Sequence, residues 1–206
     1  MSVYESVGKR ALDVAGAIVA LPILGAVTVV VAPIIKLSDG GPVFFLGERR
    51  GRSGQHFTMY KFRSMRVNAP DLRNSDLSTV NSDSDPRVTR IGRILRATSL
   101  DELPQILNVL KGDMSFVGPR PNMTTQTWDE LTDLERKRLR VRPGITGLAQ
   151  ASRRNAATSI EKYEIDEYYV DNLSMLLDLR VIGETISAVV ASRNINAPSE
   201  RSNTDD

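Results

Sequence analysis

The sequence predicts an α+β fold that is mainly helical, with a membrane helix, a small β-hairpin and several amphipathic helices. Three observations carry this. About 22 residues, 14–35, run without a charge, the length a helix needs to cross a bilayer. Two short apolar runs, 43–46 and 57–62, flank Gly51-Arg52-Ser53-Gly54, the pattern of two strands joined by a turn. From Arg87 onward, apolar residues recur at helical spacing.

The 206 residues suffice for one domain with an appendage. Hydrophobic content of 41% with 25% charged residues allows a packed core. Cysteine is absent, which excludes disulfides and thiolate chemistry. His56 is the one histidine, so a multi-histidine metal site is excluded too. A metal here should be a hard cation held by carboxylates and phosphate. The formal charge of +2 is small, and clustering of the cations matters more than their total.

Lys9-Arg10 precedes the apolar run and Lys36 follows it, so the positive-inside rule names no winner. The run is long for a cleaved signal peptide, and a retained membrane segment is expected. Pro22 should kink the helix, and Asp13 suits an interface better than deep lipid. A helix that enters and leaves on one face, or a straight span with a tolerated proline, both meet these constraints. Ser38-Asp39-Gly40-Gly41-Pro42 closes the segment. After the hairpin, Lys61, Arg63 and Arg66 form a basic cluster suited to headgroups or phosphate. Residues 68–85, rich in Asn, Asp and Ser, are expected to form a mobile loop. Val88, Ile91, Ile94 and Leu95 then share a helical face, with Arg87, Arg90, Arg93 and Arg96 along another, as on a membrane-surface helix.

The chain is organised around residues 99–121. Ser99-x-x-Glu102 matches a capping box. Pro104 opposes Ser99 as the cap and fits better if the helix starts at Asp101. Asp101 and Glu102 then lie at the positive end of a helix dipole. Adjacent residues on a helix diverge, so two carboxylates in one site require a non-helical entry. Pro119 and Pro121 stiffen the turn that carries Arg120, which favours a phosphate clamp over a local pair with Asp113. A carboxylate nucleophile with an arginine clamp has the means for phosphoryl transfer. Further helices are expected over 129–142, 159–170 and 173–190, and a disordered polar end at 197–206. Pro143-Gly144-Ile145-Thr146-Gly147 makes a tight turn suited to close ligand approach. By spacing alone, Asp166 is a surface acid among Glu161, Glu164 and Glu167.

Six ordered motifs together resemble the bacterial sugar transferase family, the monotopic polyprenyl-phosphate phosphoglycosyl transferases. They are Lys9-Arg10-x-x-Asp13, Tyr60-Lys61-Phe62-Arg63-Ser64-Met65, Ser99-Leu100-Asp101-Glu102-Leu103-Pro104-Gln105, residues 110–121 (LKGDMSFVGPRP), Arg142-Pro143-Gly144-Ile145-Thr146-Gly147 and Asp166-Glu167-Tyr168-Tyr169-Val170. The resemblance implies a re-entrant (monotopic) helix anchor at 1–36, a catalytic domain at 37–190 and a disordered tail at 191–206. It implies a catalytic core without the extra N-terminal membrane region that some relatives carry. It implies transfer of a phosphosugar from a UDP-sugar to polyprenyl (undecaprenyl) phosphate, with release of UMP, as the first membrane step of glycan assembly. Asp101 would be the nucleophile and Glu102 would position Mg²⁺ or handle the acceptor's proton, both carboxylates serving as metal ligands. Lys61, Arg63, Arg120, Arg142 and Asp166 would bind substrate. The active site would face the cytoplasm at the bacterial inner membrane. Expected partners are the UDP-sugar, the polyprenyl phosphate, membrane lipid, downstream glycosyltransferases and further copies of the chain, and not nucleic acid.

The sequence departs from the family at Gly25-Ala26, where Ser-Pro is usual, and at Arg153, where glycine is usual. An inactive membrane-anchored scaffold is the rival reading. A soluble nucleotide-binding protein is disfavoured, since neither G-x-x-x-x-G-K-[ST] nor G-x-G-x-x-G occurs.

Overall fold

The computed structural model describes residues 3–70, 72, 85–153 and 158–190. The expected disordered tail at 191–206 and most of the expected mobile loop lie outside the described residues. A π-helical turn, Tyr4–Gly8, leads into α1, Lys9–Asp39. Its 31 residues extend roughly 46 Å at the usual helical rise. Pro22 and Pro33 both lie inside this one helix. Gly40, at φ 74°, ends it with the left-handed residue that a side chain would disfavour.

One stripe of α1 is buried along the helix: Asp13, Ala17, Leu24, Val31 and Ile35. Ile18, Val19, Ile23, Val29 and Val30 are bare. Asp13 is not at an aqueous interface but inside the protein. Its carboxylate accepts from Ser115 Oγ at 2.9 Å and from the Phe116 amide at 3.0 Å. Arg10 donates to the carbonyls of Val109 and Leu110 at the end of a later helix. The charged residues before the apolar run therefore fasten α1 to the body.

The predicted hairpin is present. β1, Phe44–Arg50, pairs antiparallel with β2, His56–Phe62, and Arg52–Gly54 forms a single 3₁₀ turn between them. Arg63 holds the hairpin to α1. Its guanidinium donates to both Asp39 oxygens and to the Pro42 carbonyl, and the Asp39 carboxyl is held well below the usual carboxylate range by that contact.

α2, Arg90–Ala97, is capped by Thr89, whose hydroxyl accepts from the Gly92 amide. The predicted basic stripe divides: Arg90 and Arg93 are exposed, while Arg87 is buried against Asp85 at 2.7 Å. A 3₁₀ segment, Leu100–Gln105, and α3, Ile106–Lys111, come next. β3, Ser115–Val117, then pairs in parallel with β4, Gly144–Thr146, a second small sheet that the sequence did not reveal. At this crossing a Cβ on Gly118 would stand 2.4 Å from the Arg142 carbonyl oxygen. The close approach expected at the Pro143-Gly144 turn is thus an approach to the chain's own backbone.

The helix expected over 129–142 is shorter: α4 covers Asp133–Arg138, started by a Thr132–Glu135 capping box. α5, Leu148–Arg153, α6, Ser159–Asp171, and α7, Met175–Val190, complete the fold. One core joins the α1 stripe to Met59, Phe62, Leu95, Ile106, Val109 and Met114. A second gathers Val117, Leu148, Tyr169 and Val181. Asp178 on α7 ties the ends of the chain together. It accepts from Tyr4 at 2.5 Å, Lys9 at 2.5 Å and Tyr169 at 2.6 Å.

Candidate active site

The capping box at Ser99, which Pro104 argued against, does not form. Ser99 takes φ 57°, a left-handed conformation uncommon outside glycine, and its side chain caps nothing. The chain reverses there and enters the 3₁₀ segment rather than an α-helix. Asp101 and Glu102 lie inside this 3₁₀ segment, so the expected non-helical entry is not met: at three residues per turn their side chains diverge by about 120°.

β2 delivers Lys61 to this segment. Lys61 Nζ lies 2.6 Å from Glu102 Oε1, in a partly buried pair. Lys61 and Arg120 hold the Glu102 carboxyl below its ordinary range against the opposing effect of burial. Among the described residues Asp101 has no such hydrogen-bonded partner. Burial pushes its carboxyl up to about 6, and the Glu102 charge adds to that, while Lys61, Arg96 and Arg120 oppose it. Two adjacent carboxylates are thereby separated: Glu102 is fixed as an anion, and Asp101 titrates near neutrality.

A cleft opens beside them, lined by Arg49, Lys61, Glu102, Gln105, Arg120 and Gln150 among others. Arg120 is exposed at its edge, and its guanidinium makes no hydrogen bond to the described residues. The local alternative, a pair with Asp113, is not met: Asp113 pairs with Lys111 and Asn108. Behind Arg120 stands Arg138, buried at α4. It donates to the Arg120 carbonyl at 3.0 Å, to Asn122 Oδ1 at 2.6 Å and to Asp166 at 2.8 Å. Asp166 is therefore neither a surface acid nor part of the cleft wall. It is 3% exposed and anchors the arginine that props the Arg120 turn.

Of the residues proposed from sequence, Lys61, Glu102 and Arg120 line this cleft, and Asp101 lies within electrostatic reach of all three without lining it. Arg63 is committed to Asp39 and the end of α1. Arg142 donates to the Gly112 carbonyl at 2.8 Å, beside Arg10, outside the cleft wall. Arg49, Gln105, Gln150, Arg96 and Arg138 were missed. Arg96 had been placed on a lipid-facing stripe, yet it is half-buried, bonds Ser64 Oγ at 2.9 Å and acts electrostatically on Asp101. The Thr132-x-x-Glu135 spacing was a signal that would have fixed the start of α4 and turned Arg138 inward.

One helix, Tyr4–Asp39, is long and apolar enough to cross a membrane, and the body it is fastened to sets carboxylates among cations, an arrangement that suits anionic ligands. The comparisons agree. A family model described as bacterial sugar transferase matches residues 4–192, and the chain belongs to that family. It is 42% identical over 193 residues to a galactosyl transferase, CpsE, of Streptococcus agalactiae, covering 89% of this chain and 42% of that protein. It is 41% identical over 199 residues to the exopolysaccharide production protein ExoY of Sinorhizobium fredii, covering 91% and 87% respectively. It is 40% identical over 187 residues to a UDP-N-acetylgalactosamine-undecaprenyl-phosphate N-acetylgalactosaminephosphotransferase of Aeromonas hydrophila, covering 88% and 43%. The chain thus spans less than half of the first and third of these relatives and most of the second.

Proposed function

We propose that the chain transfers a phosphosugar from a UDP-sugar to undecaprenyl phosphate, as the names of several relatives describe for those proteins. The observation that carries this reading is a cleft lined by the Glu102–Lys61 pair and an uncommitted Arg120, with Asp101, its carboxyl raised, within electrostatic reach of all three. A carboxylate oxygen of Asp101 attacks the β-phosphorus of the donor. The bond from that phosphorus to the bridging oxygen breaks, and UMP leaves. A phosphate oxygen of the lipid then attacks the phosphorus of the aspartyl phosphosugar, freeing Asp101 and forming the polyprenyl diphosphate sugar. Lys61 and Arg120 offset the repulsion between an anionic nucleophile and an anionic diphosphate. Glu102, held as an anion, keeps Lys61 in place.

A magnesium ion fits this donor set. Among the described residues no group of three or more metal-ligating side chains occurs. Magnesium is commonly held by one or two carboxylates with substrate phosphate and water, which Asp101 and Glu102 are placed to supply. When bound, the ion would neutralise charge on the diphosphate. The buried stripe and bare face of α1 support a helix held to the body on one side and turned to lipid on the other; that the anchor is re-entrant, with the cleft at the cytoplasmic surface of the inner membrane, is part of this proposal and follows from the family resemblance. On this reading the transfer is the first membrane step of glycan assembly.

Two tests follow from the site. Asp101 attacks only when ionised, and its raised carboxyl titrates at about 6. The kcat/KM for the UDP-sugar, whose diphosphate does not titrate nearby, should be level above pH 7 and fall about tenfold per unit below 6. A profile flat to pH 5 would remove Asp101 from the attacking role. Arg120→Ala should raise the KM for the UDP-sugar by about tenfold or more, the loss of a charge-assisted phosphate contact. Unchanged kinetics would place the diphosphate elsewhere.

A further inference from the structure

The apolar start of β1 takes no part in the cleft described above, yet it stands next to it. Phe44, Phe45 and Leu46 are 37%, 47% and 60% exposed, so both faces of the hairpin are greasy at this end. Three such residues in a row suit lipid better than water. The Arg63–Asp39 pair, with the Arg63 amide donating to the Val43 carbonyl, fixes this end of the hairpin beside the end of α1. Leu37 on that helix is 85% exposed. The bare side chains at the end of α1 and at the start of β1 thus come to the same end of the body.

Phe45 lies directly opposite Lys61 across the hairpin, so the two side chains stand on one face. Gly47 follows on that face with no side chain. A Cβ there would stand 2.8 Å from the Phe45 ring and 3.3 Å from the Arg49 guanidinium. The ring thus lies beside Gly47, on the hairpin face that also carries Lys61 and Arg49, two cations that line the cleft.

We propose that the Phe45 ring is a subsite for the prenyl chain of the lipid acceptor: the first isoprene units lie on it, and the phosphate they carry meets Lys61. The proposal rests on the reading of the chain as a polyprenyl-phosphate phosphosugar transferase. Continuity with the bare face of α1 favours a lipid occupant, and the cation opposite the ring favours one with an anionic head.

The test measures separate KM values for undecaprenyl phosphate and for the UDP-sugar, with the full chain in nanodiscs. Phe45→Ala should raise the lipid KM about tenfold and leave the donor KM within about twofold. Phe45→Leu should recover most of the lipid affinity, because a chain contact needs apolar area rather than an aromatic plane. Co-sedimentation of Phe45→Ala with phospholipid vesicles should match wild type. A raised donor KM with an unchanged lipid KM would assign the ring to the nucleotide and overturn the proposal. Unchanged values for both would leave the ring a membrane contact only, and overturn it equally. A wild-type protein that turns over no UDP-sugar with undecaprenyl phosphate would instead overturn the reading beneath.

Discussion

Asp101→Asn is expected to reduce lipid-dependent UMP release by at least ~10⁴-fold, the order of loss when a nucleophile is removed. The asparagine keeps the shape of the side chain and loses the attacking oxygen. The same variant should melt higher than wild type at pH 7.5. Burial raises the Asp101 carboxyl to about 6 in the folded protein, above its value in an unfolded chain. The native state therefore binds more protons between about pH 4 and 6, and stability falls as pH rises through that window. Above it, the ionised Asp101 costs on the order of 1–3 kcal/mol, which a neutral isostere escapes. The gain in melting temperature should shrink towards pH 4. A purely structural Asp101 would give the opposite sign, since its replacement would lower the melting point. Vesicle binding should not change, because α1 does not depend on this residue.

Asp166→Ala is expected to cost about 3–5 kcal/mol, the usual penalty for leaving one member of a buried ion pair uncompensated. Arg138 and Asp166 are each 4% exposed at the side chain, 2.7 Å apart. Denaturant unfolding in detergent would measure this loss. Turnover should fall as well, since Arg138 also holds the Arg120 carbonyl and Asn122. The double variant Asp166→Leu with Arg138→Met separates the two effects. It should regain much of the stability, because an apolar pair avoids the desolvation cost. It should not regain activity, because the Arg120 turn has lost its donor. Recovery of both would make Arg138 a stability element without influence on the cleft.

The hairpin was legible because its two apolar runs and the Gly-containing turn between them are contiguous in sequence. The pairing of β3 with β4 was not, since two three-residue strands joined across α4 leave no periodic signal. Asp101, Glu102, Lys61 and Arg120 were legible as charged residues in rigid, proline- or strand-bounded positions. Asp166 was not readable from spacing, because its neighbours on α6 are also acidic and its partner lies within the run Arg136-Lys137-Arg138. Only burial distinguishes Arg138 from the others: Lys137 beside it pairs at the surface with Glu167 and Asp171. Arg63 was read as a substrate contact from the basic cluster it forms with Lys61 and Arg66 and from the family resemblance. In the fold its donors are directed to Asp39, 24 residues earlier, which no local spacing links to it.

UMP release by the detergent-purified protein, with Mg²⁺ and undecaprenyl phosphate, across a panel of UDP-sugars, tests the central claim most directly. Release from at least one donor that requires the lipid and is lost in Asp101→Asn is the predicted result. Silence across the panel from folded protein that still binds UDP would contradict it and favour a membrane-anchored scaffold.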